Sequence, residues 1–216
     1  MAAHSIRSSR TRSRKRVALA AAFAAGVLAL TGAGVYAGLN AVATGTADVT
    51  SGTLSLTVTA DVGAGFGQTI SNMAPGDTYN SFVKLTNGAN LAAKDLTLAV
   101  TGSGSTLLTT DGTKGLAVAV TQCSVAWTLA TGACSGSTTA LLASTPVATL
   151  SSTPGSVVSG AIAASTVWHL KVSVSLPDQS ETTTNGTPPG GTIQGLSTTL
   201  TFTFSESQRT AVTTNA

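Results

Sequence analysis

Apolar and polar residues alternate with period two along most of this chain, and the alternation starts near residue 52. In Gly52-Thr-Leu-Ser-Leu-Thr-Val-Thr59, the side chains of Leu54, Leu56 and Val58 fall on one face together with Ala60. Thr53, Ser55, Thr57 and Thr59 fall on the other, which predicts a half-buried strand. The same period returns in residues 78–86 (Tyr79, Val83, Leu85), 95–101 (Leu96, Leu98, Val100) and 115–121 (Leu116, Val118, Val120). It continues through Val125, Trp127 and Leu129. Trp168, Leu170, Val172, Val174 and Leu176 follow within residues 166–176, then Leu200, Phe202 and Phe204 within 196–204.

Turn chemistry separates these runs. Residues 61–70 are glycine-rich, Asn72-Met-Ala-Pro-Gly-Asp77 supplies a Pro-Gly turn, and Asn87-Gly88 and Asp111-Gly112 close further runs. Residues 138–150 and 153–164 are rich in small side chains and fit neither period cleanly. Residues 177–191 read as a low-complexity loop. Seven or eight short strands, with no helical periodicity after residue 37, predict an all-β antiparallel sandwich. Jelly-roll and immunoglobulin-like orders both satisfy this pattern.

Upstream the pattern changes. Residues 7–16 carry six cations (Arg7, Arg10, Arg12, Arg14, Lys15, Arg16), and residues 17–37 are apolar and rich in Ala and Gly. A basic stretch, an apolar stretch and a small-residue exit together predict a secretory signal. Val35-Tyr-Ala37 and Ala41-Val-Ala43 both present a small or β-branched residue two positions before an alanine, so Ala37 and Ala43 are the two expected cleavage positions for a signal peptidase. The alternative is an uncleaved anchor through residues 17–37, whose 21 positions suffice for a bilayer core. The predicted organisation is a leader over 1–37, a flexible segment over 38–51, the sandwich over 52–205 and a polar tail over 206–216.

Composition sharpens this picture. A mean hydropathy of +0.32 comes from one apolar segment and many alternating runs, not from several spans. The formal charge of +3 belongs to the leader: past residue 37, five cations (Lys84, Lys94, Lys114, Lys171, Arg209) face eight acids, a net of −3. So few scattered cations leave no electrostatic footprint for nucleic acid, and that partner is excluded.

Candidate chemistry is sparse. Cys123 and Cys134 are the only cysteines, and in an exported chain they are expected to form a disulfide that stabilises by about 2–3 kcal/mol. A structural zinc site needs more Cys or His ligands than the exported part supplies, which holds His169 alone. His169 alternates with Trp168 and Leu170, which predicts a solvent-facing ring. The nearest carboxylate pair, Asp178 and Glu181, falls in a loop and reads as solvated charge. Asp61, Asp77, Asp95 and Asp111 fall at turns, where bonding to nearby backbone accounts for them. No catalytic residue, metal ligand or cofactor site is expected.

The leader ending Gly34-Val-Tyr-Ala37, the strand Ser51-Gly-Thr-Leu-Ser-Leu56, the turn Asn72-Met-Ala-Pro-Gly-Asp77 before a strand ending Lys84-Leu-Thr-Asn-Gly88, and the closing Thr201-Phe-Thr-Phe204 together resemble the TasA/camelysin family. The likeness is to actinobacterial exported members with a SipW-type signal peptide. It implies a jelly-roll-like sandwich, removal of the leader by a dedicated signal peptidase, and a subunit of an extracellular matrix or biofilm fibre. Some relatives carry a metallo-endopeptidase label, but no zinc motif stands here to support it. The expected protein is therefore secreted, surface-associated and non-enzymatic, and it self-associates into oligomers or fibres. Leu54, Leu56 and Val58 would be the strand offered to a neighbour. The rival reading is an adhesin or binding module in contact with a cell-wall polymer or host surface. A camelysin-type endopeptidase is the third.

Overall fold

The strong period-two runs become strands in the computed structural model, which describes residues 51–66, 73–104 and 106–215. Eight strands follow one another: β1 (Leu56–Ala60), β2 (Thr78–Asn87), β3 (Ala93–Gly102), β4 (Ala117–Cys123), β5 (Thr138–Pro146), β6 (Gly155–Ile162), β7 (Val167–Ser175) and β8 (Leu200–Gln208). Two single helical turns interrupt them, α1 (Leu107–Thr110) before β4 and α2 (Val147–Leu150) after β5. Among the described residues no helix is long and apolar enough to cross a membrane. The expected leader, the expected cleavage positions Ala37 and Ala43, and residues 38–50 lie outside the described residues.

The strands form two antiparallel sheets, one ordered β1-β2-β7-β4-β5 and the other β6-β3-β8. Only β1–β2 and β4–β5 join sequence neighbours within a sheet; the other five connections cross between sheets. One apolar core fills the space between them. Leu96, Leu98 and Val100 of β3, Val83 and Leu85 of β2, Val118 and Val120 of β4, and Leu170 and Val172 of β7 are almost completely buried. Their alternation with polar residues places one face of each sheet inward, as a sandwich requires.

Several boundaries differ from the sequence reading. The run expected to continue through Leu129 stops as a strand at Cys123. Val125 and Leu129 are 42% and 55% exposed while Trp127 is buried, because residues after Cys123 leave the sheet in a loop. Residues 138–150 and 153–164 resolve into β5 with α2 and into β6. The last strand starts at Leu200 and runs to Gln208, three residues into the segment read as a tail. Asp95 adopts φ +56° within the irregular pairing of β3 with β6, and its carboxylate accepts a hydrogen bond from Gly160 N at 2.8 Å. That is a tie across 65 positions, not the local turn its neighbours suggested.

Candidate strand-exchange site

The residues expected to be offered to a neighbour lie at the margin of the five-stranded sheet. β1 pairs antiparallel with β2, Leu56 opposite Asn87 and Val58 opposite Leu85, and among the described residues it pairs with nothing else. Its side chains are weakly held. Leu54 and Leu56 are half-buried against the core, but Val58 is 40% exposed and Thr57, Thr59 and Ala60 are exposed. The apolar face of this strand is thus only partly used at home.

The connection to β2 is unusual. Adjacent antiparallel strands are ordinarily closed by two to five residues. Here residues 61–77, seventeen positions, intervene. Two backbone hydrogen bonds bracket the strand: Gly88 N to Ser55 O at 2.7 Å and Asp61 N to Phe82 O at 3.1 Å.

Asp61, the residue directly after β1, is bound on the outer face of the five-stranded sheet. Its side chain is 4% exposed. Oδ1 lies 2.7 Å from Nδ1 of His169, and Oδ2 accepts the Trp127 backbone N–H at 3.3 Å. A carboxylate offers only lone pairs, so the contact requires the proton on Nδ1 of His169. This corrects the expectation of a solvent-facing histidine. His169 does face away from the core, but a loop folds over it and leaves its side chain 24% exposed. It also corrects the reading of Asp61 as a local turn residue, since both partners are far along the chain.

The covering loop is tied by the disulfide between Cys123 and Cys134, the pairing expected from the sequence, with Cα atoms 5.8 Å apart. Within it Trp127 donates from Nε1 to the carbonyl of His169 at 3.0 Å, and its ring centre stands 5.7 Å from that of Phe82. The Lys171 ammonium sits 4.8 Å from the Trp127 ring centre, in cation–π range. Phe82, Cys123 and Trp127, with Val62 and Cys134 against them, form a small apolar cluster outside the main core.

On the inner face a cleft of about 1100 Å³ opens beside β8. Tyr79 and Ser81 of β2, Val174 of β7, and Leu200 and Phe202 of β8 contribute to its walls. Among the described residues β8 pairs only with β3, so its other edge is unpaired. Phe66, which also lines it, stacks on Phe202 with ring centres 4.4 Å apart. In the loop after β7 Asp178 is exposed, while Glu181 is hydrogen-bonded within its own loop. Glu181 accepts hydrogen bonds from the Thr192 hydroxyl and from Ile193 N (3.2 Å), and these bonds, Thr192 first, hold its carboxyl below the usual range.

The family model for camelysin metallo-endopeptidase matches residues 12–134, more than half of the chain. The chain belongs to the TasA/camelysin family. The match runs from residue 12 through β1–β4 to Cys134, and so contains β1, Asp61 and the disulfide loop. No curated protein matches the chain.

The family's name implies a metal, and the described residues do not fit one. No three His, Cys, Asp or Glu side chains among them stand close enough to share an ion. His169 has Nδ1 committed to Asp61, and both cysteines are bonded to each other. A catalytic zinc needs three protein ligands and an open position. The described residues therefore provide no hydrolytic step through such an ion.

Sequence reasoning missed the Asp61–His169–Trp127 arrangement. Its members lie 108 and 66 positions apart along the chain, and no local pattern links them.

Proposed function

We propose that this camelysin-family chain is a secreted, non-enzymatic structural protein of the cell surface or matrix, and that it self-associates by exchanging its N-terminal strand. In that exchange Leu54, Leu56 and Val58 leave one subunit and take the same places against a neighbour's β2. The observation that carries this reading is the pairing of a short marginal strand with a seventeen-residue connection. Extended, a chain of that length reaches on the order of 55 Å, enough to span to another subunit. A swapped strand makes between subunits the contacts it made within one, so exchange costs little beyond association itself. The leader pattern and the disulfide support export, with a signal peptidase and further copies of this chain as partners.

The test is a strand that cannot leave. Thr57 and Thr86 are directly opposed across β1–β2 and neither is buried. Thr57→Cys with Thr86→Cys, oxidised in the monomer, should yield protein that stays monomeric in electron micrographs while the wild type forms filaments. Filaments forming from the locked protein as fast as from the wild type would sink strand exchange. A second reading, a surface adhesin that contacts wall polymer, is favoured by the exposed Val125 and Leu129 on the disulfide loop. It predicts wall binding by the locked monomer equal to that of the wild type.

A further inference from the structure

We infer that the Asp61 carboxylate, with His169 and the disulfide-tied Trp127 loop, is a kinetic latch that sets how fast β1 leaves its own sheet. The inference rests on the strand-exchange reading. Asp61 follows Ala60, the last residue of β1, without an intervening position, so the strand's end cannot be carried to a neighbour while this side chain stays bound. Elsewhere β1 has few restraints, with only Leu54 and Leu56 packed on the core. Beyond the backbone ladder to β2 and the bonds that bracket it, the side-chain restraint is therefore concentrated at Asp61.

Two acceptor oxygens meet two donors from different parts of the chain, one on β7 and one in the loop beyond β4. Charge-assisted bonds to a side chain only 4% exposed are stronger than those on an open surface. The Trp127 N–H is held in place by the disulfide on one side and by its own Nε1 bond to the His169 carbonyl on the other. Removing the disulfide frees the donor without changing any residue of β1, β2 or β7, although Cys123 itself packs on Phe82 and stands opposite His169.

The arrangement has a thermodynamic consequence. After exchange Asp61 meets the same His169 and Trp127 on the neighbour. The latch energy is then equal in the home and swapped states and cancels from the equilibrium. It does not cancel from the barrier, since both bonds must open on the way. The latch slows both capture and release, keeping monomers from exchanging early and assembled subunits from dissociating.

Hydrogen exchange on the full exported chain, read at the amides of Leu56–Ala60, tests this directly in monomer. Asp61→Ala, and separately Cys123→Ser with Cys134→Ser, should speed opening of these amides at least about tenfold relative to β3 amides. Asp111→Asn, whose carboxylate bonds only Thr113 N and Lys114 N in its own turn, is the control and should leave them unchanged. In assemblies mixed with labelled protein of the same sequence, Asp61→Ala subunits should exchange faster than wild-type subunits, with little change in the final assembled fraction. Unchanged exchange at Leu56–Ala60 in both variants, or a uniform rise across the sandwich in Asp61→Ala, would overturn the latch. Should the wild type never assemble, the strand-exchange reading fails, while the monomer measurement still decides whether Asp61 restrains β1.

Discussion

At the scale of single residues, two glutamates respond to acid in opposite directions. Both carboxylate oxygens of Glu206 on β8 are buried without a hydrogen-bond partner, and that desolvation raises its carboxyl above the usual value of 4.5. A raised folded value means the native state holds the proton more firmly than the unfolded chain does. The associated destabilisation is absent below the ordinary glutamate range and complete above the raised value. Glu206→Gln, which removes the charge and keeps the shape, should therefore raise the melting temperature at pH 7 and make no difference near pH 3, as calorimetry at the two pH values would show. Glu181 behaves conversely. Its carboxyl is lowered by Thr192 and Ile193, so its contribution is present above the ordinary range and lost as pH falls through the lowered value. Glu181→Gln should slightly destabilise the protein at pH 7 and matter least below the lowered value. Trp127 is a different kind of residue, buried in a small cluster that the main core does not support. Trp127→Ala should cost about 3 kcal/mol in denaturant unfolding, by analogy with buried aromatic truncations.

At the scale of elements, the junctions are less tolerant than the strands. A side chain at Gly115, between α1 and β4, would place its Cβ 2.4 Å from the carbonyl oxygen of Asp111 and 2.7 Å from that of Leu107. Backbone oxygens cannot swing aside, so Gly115→Ala should destabilise by about 1–3 kcal/mol, whereas Gly112→Ala, with nothing within 4 Å, should be nearly neutral. Thermal unfolding of the pair separates the two outcomes. β1 occupies the other extreme. Its alternation is as clear as that of β3, yet β3 is sealed between strands on both sides and β1 is not. Alternation reports which side chains can share a face. It does not report whether anything lies against that face, and Val58 remains exposed for that reason.

At the scale of the whole molecule, most pairings join distant parts of the chain. β2 lies beside β7 with Thr78 opposite Ser175, and β3 beside β8 with Gly102 opposite Leu200. Such pairings close long loops before they yield contacts, so folding should be slow for a domain of this size. The disulfide constrains only a short outer loop. Cys123→Ser with Cys134→Ser should lower stability by about 2–3 kcal/mol while leaving the two-sheet core folded, seen as a reduced melting temperature with an unchanged far-ultraviolet spectrum. The strands β2, β3, β4 and β7 were legible from periodicity because each buries one face against the core. Residues 138–164 were not, since their small side chains bury little and alternate weakly.

The chain's own pattern was sufficient to specify an all-β sandwich, the inward-facing side chains of β2, β3, β4 and β7, and a unique cysteine pair, because a period of two and a count of two are local facts. Strand order, the partial exposure of β1, and the enclosure of Asp61 by His169 and Trp127 were decided only in the tertiary structure. Those features depend on which distant segments pack together, and a polar side chain such as Asp61 looks the same in the sequence whether its partner is water or a histidine 108 positions away.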